Sequence, residues 1–450
     1  MIRADLEICL GESDVPVASL QYESSGKREY SCFQYFSSWL NSAHAFALAP
    51  SLTLDAGKKF FRDDRPFPSV LMDTMPDSWG RKILAQNARQ AGERQAQNSL
   101  FFLLAVSDFC RIGALRIRNA GENSQFLAAG RNDVLPRLHD LNQFCEIVRC
   151  IEMNTVDANT LRRFIVPGSS LGGARPKCSL LGADNRLSVA KFTSHNDARA
   201  TERAEAATLR LARLCGIDAP EVMLVEGPAR TLPIAVIERF DRIEGKRIPY
   251  ISAQTMLDSP TADNRAYTEI ADAIRINGAA PKSDLASLFQ RVLFSILVSN
   301  VDDHLKNHAF LYAGDDKWRL SPLFDVNPFP ERLRQLKTAI ADPADSSASV
   351  GLLLEHAFYF EINKDKAARI ASTMAKTVRE NWLRLAVESG MNTTETREYL
   401  PAFEHHETEF AENLARTKVF VSPRQKPNDA DKSASAPAKH KVKRARNPRR

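Results

Sequence analysis

The strongest constraint on this 450-residue chain lies between Ser299 and Asp325, SNVDDHLKNHAFLYAGDDKWRLSPLFD. Asp302, Asp303, His304, Lys306 and Asn307 fall within six positions, directly behind the apolar run Leu293 to Val298. Carboxylates are costly to bury, so such a cluster must be met by cations or hydrogen-bond donors. Asp302 and Asn307 stand in the spacing D-x-x-x-x-N. In phosphoryl-transfer enzymes that step lets the Asp accept a hydroxyl proton while the Asn reaches a magnesium ion. Asp303 is the wrong residue for the base, because the five-residue step to Asn307 begins at Asp302. Asp325 follows two strand-like pieces, Ala309 to Tyr312 and Trp318 to Leu320, where a second metal-binding carboxylate would stand. Taken alone, the stretch also fits a capped loop between a core helix and a hairpin.

A second segment raises the first above coincidence. Gly168 to Lys177 (GSSLGGARPK) reads as a flexible small-residue loop whose backbone N–H groups could approach phosphate. It is not a P-loop: Gly168 and Gly173 have the required separation, but Ala174 stands where the lysine must be. The other arrangement places a glycine loop between strands, then a Lys on the next strand, then a Glu on a helix. Lys191, on the strand Leu187 to Phe192, and either Glu202 or Glu205 satisfy that order. By itself a glycine loop is more simply a tight hairpin with surface charges. The order of loop, Lys, helical Glu, hinge-like Glu238-Arg239-Phe240-Asp241-Arg242, D-x-x-x-x-N and second Asp is much harder to reach by chance.

The chain length exceeds one ordinary core and suggests two or three domains. The net charge of +6 is uneven: Lys439 to Arg450 holds seven Lys or Arg and no acid, so the body is close to neutral. The first residues carry acids where a signal peptide needs a basic start, and no apolar run is long enough to span a membrane. The seven cysteines are scattered, with no C-x-x-C pair, as in a reduced cytoplasmic protein. His304 and His308 lie four apart but lack the glutamate of a zinc helix. His405-His406 reads as surface, and the four tryptophans as core or interface.

In order, Leu6 to Leu10 and Val15 to Tyr22 alternate as strands. Asp77 is placed to cap a helix running to Asn87. Arg111 to Arg118 reads as a strand and Leu138 to Ile151 as a helix. Cys178 to Leu181 and Leu187 to Phe192 form a strand pair. Thr201 to Cys215 is a helix with Ala204, Ala207, Leu211 and Leu214 on one face, ended by Gly216. Leu224-Val225 and Leu232 to Glu238 are further strands. Helices follow at 268–276, 283–299, 365–390 and 395–416, and residues from about 422 should be disordered.

On these motifs the chain resembles the HipA family, kinase toxins of bacterial type II toxin–antitoxin pairs. Met75-Pro76-Asp77-Ser78-Trp79-Gly80-Arg81, Ser107 to Arg116, the glycine loop, the ERFDR hinge, Asp302 to Asn307 and Phe324-Asp325 carry the resemblance, the last three most specifically. It implies an α+β fold with a bilobal kinase: an N-terminal subdomain over 1–150, a strand-rich lobe over 151–242, a helical lobe over 243–421 and a basic tail over 422–450. It implies ATP and magnesium as cofactors. Asp302 would be the base, and Asn307 and Asp325 would bind the metal. Lys191 would contact phosphate, with Glu205 as its more probable partner. Glu238 and Phe240 would hold the adenine through backbone groups. Gly172, Gly173, Lys177 and His304 would complete the nucleotide site, His304 by orienting the catalytic loop. Ser170, or the adjacent Ser169, matches a serine that the family autophosphorylates. The implied substrate is a Ser or Thr of a translation component, notably an aminoacyl-tRNA synthetase, and the implied partner a helix-turn-helix antitoxin. DNA would be met through that antitoxin, or through the tail's charges on phosphates. The alternatives are a co-regulator docked on such an antitoxin and a small-molecule kinase.

Overall fold

The computed structural model describes residues 1–92, 98–121, 125–128, 135–170, 172–182, 184–227, 233–331 and 334–414. The basic tail lies outside the described residues, as do Leu171 of the glycine loop and Leu232. Met1 to Ala415 pack as one compact unit.

The chain opens with an antiparallel sheet. β1 (Ile2–Leu10) and β2 (Val15–Ser25) pair with Leu6 opposite Leu20. β3 (Arg28–Tyr35), β4 (Lys59–Arg62) and β5 (Leu115–Asn119) complete the order β4-β3-β2-β1-β5. Its apolar face (Leu6, Ile8, Val17, Leu20, Phe33, Ile117) shares one core with helices of the C-terminal half, among them Leu288, Val292 and Ile296 of Pro281–Leu297. The expected strand from Arg111 starts four residues late. Gly113 takes φ +72°, and a side chain there would press on Tyr250, so this stretch serves as a turn against the hinge region.

A second sheet, order β6-β7-β9-β8, comprises β6 (Lys177–Leu181), β7 (Leu187–Phe192), β8 (Val222–Glu226) and β9 (Pro233–Glu238), all antiparallel. Because side chains alternate across a strand, Cys178, Leu180, Ala190, Phe192, Ile234 and Val236 face a core with helices Ser78–Gln90, Leu141–Glu152 and Ala158–Gly168. The opposite face carries Lys177, Val189, Lys191 and Ile237 into a cleft. Helix Thr201–Leu214 buries Ala204, Ala207 and Leu211, but Leu214, its last residue, is exposed.

Gly168 to Lys177 is less loop-like than its composition suggests. Gly168 closes the Ala158–Gly168 helix, packed where a Cβ would collide with Phe164 and Ile83. Ser169 and Ser170 are buried, and Lys177 is already strand. The helix expected over 395–416 is two helices, Thr393–Phe403 and His406–Asn413. They break at His405, which is extended and buried, not surface, with Nε2 3.3 Å from the Leu297 carbonyl oxygen. All four tryptophans are buried and every cysteine is a free thiol.

Candidate active site

Lys177 and Lys191 sit directly opposite each other on β6 and β7. Like charges in that register repel, so the pairing needs anions. They arrive from two other elements. Glu205, one turn into the Thr201–Leu214 helix, places Oε1 2.5 Å from Lys191 Nζ, and Asp325 places Oδ1 2.7 Å from the same nitrogen. Glu202, the other acid considered, instead holds Arg175 of the glycine loop at 2.7 Å. Burial would lower the Lys191 pKa, but Asp325 and Glu205 outweigh it and hold the ammonium firmly charged. Among the described residues Lys177 has no such ion pair: its Nζ donates to Gly172 O at 2.5 Å, and burial followed by repulsion from Lys191 lowers its pKa. Burial would raise the Asp325 carboxyl, yet Lys191 and Lys177 keep it well below the usual carboxylate range. Its backbone is left-handed, φ +57°, a conformation Asp tolerates better than most residues.

The catalytic-loop motif follows the Pro281–Leu297 helix and precedes the hairpin Ala309–Gly314/Lys317–Leu320. Asp303 is the structural acid. It is buried and bound by Tyr267 Oη at 2.7 Å, Ser295 Oγ at 3.1 Å and His308 Nε2 at 2.9 Å. Asp302 is exposed beside it, and the loop desolvates its carboxyl enough to raise the pKa, against His304 and Lys337. Asn307 donates Nδ2 to Asp302 O at 3.2 Å, which turns the amide oxygen the other way. His304 turns toward the cleft, and its Nδ1 finds no hydrogen-bond partner among the described residues.

These groups gather around one cleft of about 1140 Å³, the open space at its mouth included. Of the expected site residues, Ser170, Gly172, Gly173, Lys177, Lys191, Glu238, Phe240, His304, Asn307 and Asp325 line it. Glu205 acts behind Lys191, and Asp302 stands on the same loop but off the lining. Its lining combines apolar Val189, Ile237, Phe240 and Phe324 with lysines and carboxylates. Ser170 Oγ lies 3.3 Å from Ser179 Oγ, while Ser169 is fully buried. Asn307 and Asp325 offer hard oxygen donors with one charge, a set that suits magnesium retaining several waters.

The sequence reading missed a wall of this cleft built from the N-terminal region: Asp73, Met75, Asp77 and Ile112. Asp77 occupies the N-cap position of its helix but makes no cap bond there. It binds Lys306 Nζ at 2.7 Å and the Gly173 amide at 2.9 Å instead. The ERFDR segment is likewise more than a hinge. Asp241 accepts from the Gly113 amide at 2.7 Å and pairs with Arg239 and Arg242, whose guanidiniums hold the carbonyls of Cys110 and Arg111. No local sequence pattern announces contacts that span more than a hundred residues.

The HipA N-terminal domain model matches residues 6–118 and the HipA-like C-terminal domain model residues 169–382. A Haemophilus influenzae protein named "Putative kinase" is 27% identical over 190 residues, 36% of this chain. The match spans about half, 54%, of that relative's length. "Putative kinase Y4mE" of Sinorhizobium fredii is 27% identical over 315 residues, 65% of this chain and 71% of that protein. Among solved structures, the Shewanella oneidensis MR-1 toxin–antitoxin complex of HipA, HipB and operator DNA contains a chain with the same fold. The TM-score is 0.62 at 17% identity, over 91% of this chain and 96% of that one. Two HipA domain models in the expected order, together covering most of the chain, establish that this chain belongs to the HipA family.

Proposed function

We propose that this protein is an ATP- and magnesium-dependent serine/threonine protein kinase of HipA type. The observation that carries the reading is the convergence of Lys191, Asp325 and Asn307 on one cleft, with Glu205 holding Lys191 from behind, two of these residues coming from each lobe. The adenine sits against apolar Val189, Ile237 and Phe240, near the backbone of Glu238. Lys191 and Lys177 take the phosphates, and Glu205 fixes Lys191 in place. Asp302 accepts or orients the proton of the acceptor hydroxyl. Asn307 and Asp325 would hold magnesium, which when bound neutralises charge on the phosphate oxygens. His304 keeps the loop in shape from the cleft side.

The HipA resemblance supplies the finer identity: a protein substrate in translation, such as an aminoacyl-tRNA synthetase, in the cytoplasm. Likeness to the Shewanella HipA chain supports a HipB-like antitoxin as partner, with DNA met through it. Ser170, or Ser169, is the proposed autophosphorylation site. A phosphate adds close to two negative charges, which Ser170's buried place beside Ser179 cannot hold without the loop moving. The same likeness favours, as a second reading, a co-regulator that acts by docking on the antitoxin.

Incubation with labelled ATP and magnesium, followed by phosphosite mapping, tests the kinase reading. Label on Ser170 or Ser169 is expected, and Asp302→Asn should abolish it with the fold intact. A fully active Asp302→Asn protein would sink the assignment. ATP binding without transfer, even with candidate substrates, would favour the co-regulator.

A further inference from the structure

Asp77 belongs to a segment that precedes both kinase lobes, yet its carboxylate reaches both sides of the cleft. Oδ2 accepts from the amide of Gly173, in the glycine loop, at 2.9 Å. Oδ1 accepts from Nζ of Lys306, inside the D-x-x-x-x-N motif, at 2.7 Å. An N-cap Asp ordinarily spends its side chain on the first turn of its own helix, and here it does not. Its neighbours reinforce the glycine-loop contact. The Trp79 amide donates to Gly173 O at 3.3 Å and its indole Nε1 to Lys177 O at 2.9 Å. Gly80 lets Ser169 O approach to where a Cβ would stand 2.7 Å away. Burial would raise the Asp77 carboxyl, but Lys306 and the Gly173 amide lower it, so the group is an anion in place.

We infer that Asp77 is a positioning residue. It ties the glycine loop to the catalytic loop and so sets the separation of phosphate-binding and proton-accepting groups across the nucleotide cleft. The inference rests on the kinase reading above. It makes the N-terminal domain part of the working site: the Asp77 carboxylate at the start of the Ser78–Gln90 helix touches both loops, and Trp79 adds a second hold on the glycine loop. Gly173 illustrates the cost of the arrangement. Its N–H, which a glycine loop would offer to phosphate, is committed to Asp77, while φ +93° fixes the turn.

The test uses the full chain carrying Asp77→Ala, Asp77→Asn, Lys306→Met and the Asp77→Ala/Lys306→Met pair. Amide exchange over residues 172–177 is followed without nucleotide, and KM for ATP and kcat are measured separately. Asp77→Ala should speed exchange in this loop and raise KM for ATP roughly 10-fold or more, the usual scale for losing a hydrogen bond to a charged group. Asp77→Asn keeps an acceptor for the Gly173 amide, so loop protection should survive while the link to Lys306 is lost. Asp77→Ala and Lys306→Met should combine to less than the product of their single effects, because both cut one link. Wild-type exchange and KM in Asp77→Ala, or simple multiplication in the double variant, would overturn the inference. If Asp77→Ala does not fold, Asp77→Asn and Lys306→Met still decide through exchange and KM. A wild-type protein that neither binds ATP nor transfers phosphate would defeat the kinase reading. The exchange comparison would still decide whether Asp77 holds the loop.

Discussion

At the scale of single residues, charge compensation governs the site. Lys191 is shared by two carboxylates, so Lys191→Met leaves buried Glu205, beside half-buried Asp325, without its cation. Removing one member of a buried pair costs about 3–5 kcal/mol. The variant should therefore lose ATP binding in titration and also melt earlier than the parent. Asp302 behaves differently. A base must be ionised, and its carboxyl is raised above the ordinary value by desolvation. Activity should therefore fall on the acid side with an apparent pKa above about 3.9, the reference for Asp. A pH–rate profile whose acid limb lies below that value would contradict the assignment. That Lys191, Asn307 and Asp325 share one cleft was legible from order and spacing; Asp302, on the same loop, stands off its lining. The choice of Glu205 over Glu202 was not settled by spacing alone, since the two lie three apart on one helix and both are buried; the contacts to Lys191 and to Arg175 separate them.

At the scale of elements, two segments act through shapes the sequence only hints at. Gly173 needs its positive φ and has Lys177 Nζ where a Cβ would be, 2.7 Å away. Gly173→Ala should weaken ATP binding by roughly 1–2 kcal/mol, the cost of a left-handed alanine, with little change in the rest of the fold. Equilibrium titration against the parent reads this. The Arg239–Asp241–Arg242 cluster is the second. Asp241 is buried, and although burial would raise its carboxyl, Arg239 and Arg242 hold it well below the usual range. A depressed folded pKa means the contribution is complete above the unfolded value near 3.9 and is lost as pH falls below it. Asp241→Ala should thus destabilise the protein at neutral pH by about 3–5 kcal/mol and cost progressively less as pH drops through that range. Urea melts at several pH values check both parts. The motif itself was plain in the sequence. Its partners, Cys110, Arg111 and Gly113, were not, because backbone carbonyls and amides leave no sequence signature.

At the scale of the whole molecule, the N-terminal sheet is not an appendage. Its Leu6, Ile8, Val17 and Phe33 share a core with the C-terminal helices, and Asp73, Met75, Asp77 and Ile112 wall the cleft. A chain beginning after residue 118 would expose that core and lose one side of the site. It should be aggregation-prone and should not bind ATP, as light scattering and titration would show; a soluble, fully active truncation would contradict this. Local propensity and periodicity, being short-range properties, were enough to place most strands and helices and the kinase-like order of functional groups. They failed where a long-range contact won: at Asp77, drawn away from its own helix by Lys306 and Gly173; at Arg111–Gly113, bent to serve the hinge; at His405, pulled inward to a carbonyl. The sequence by itself determined the order in which the chain brings Lys191, Asn307 and Asp325 to the cleft. Only the tertiary structure decided which carboxylate meets which cation, and that the N-terminal domain reaches into the cleft, because those pairings depend on how separate elements pack, whether 14 residues apart as for Lys191 and Glu205 or 229 apart as for Asp77 and Lys306.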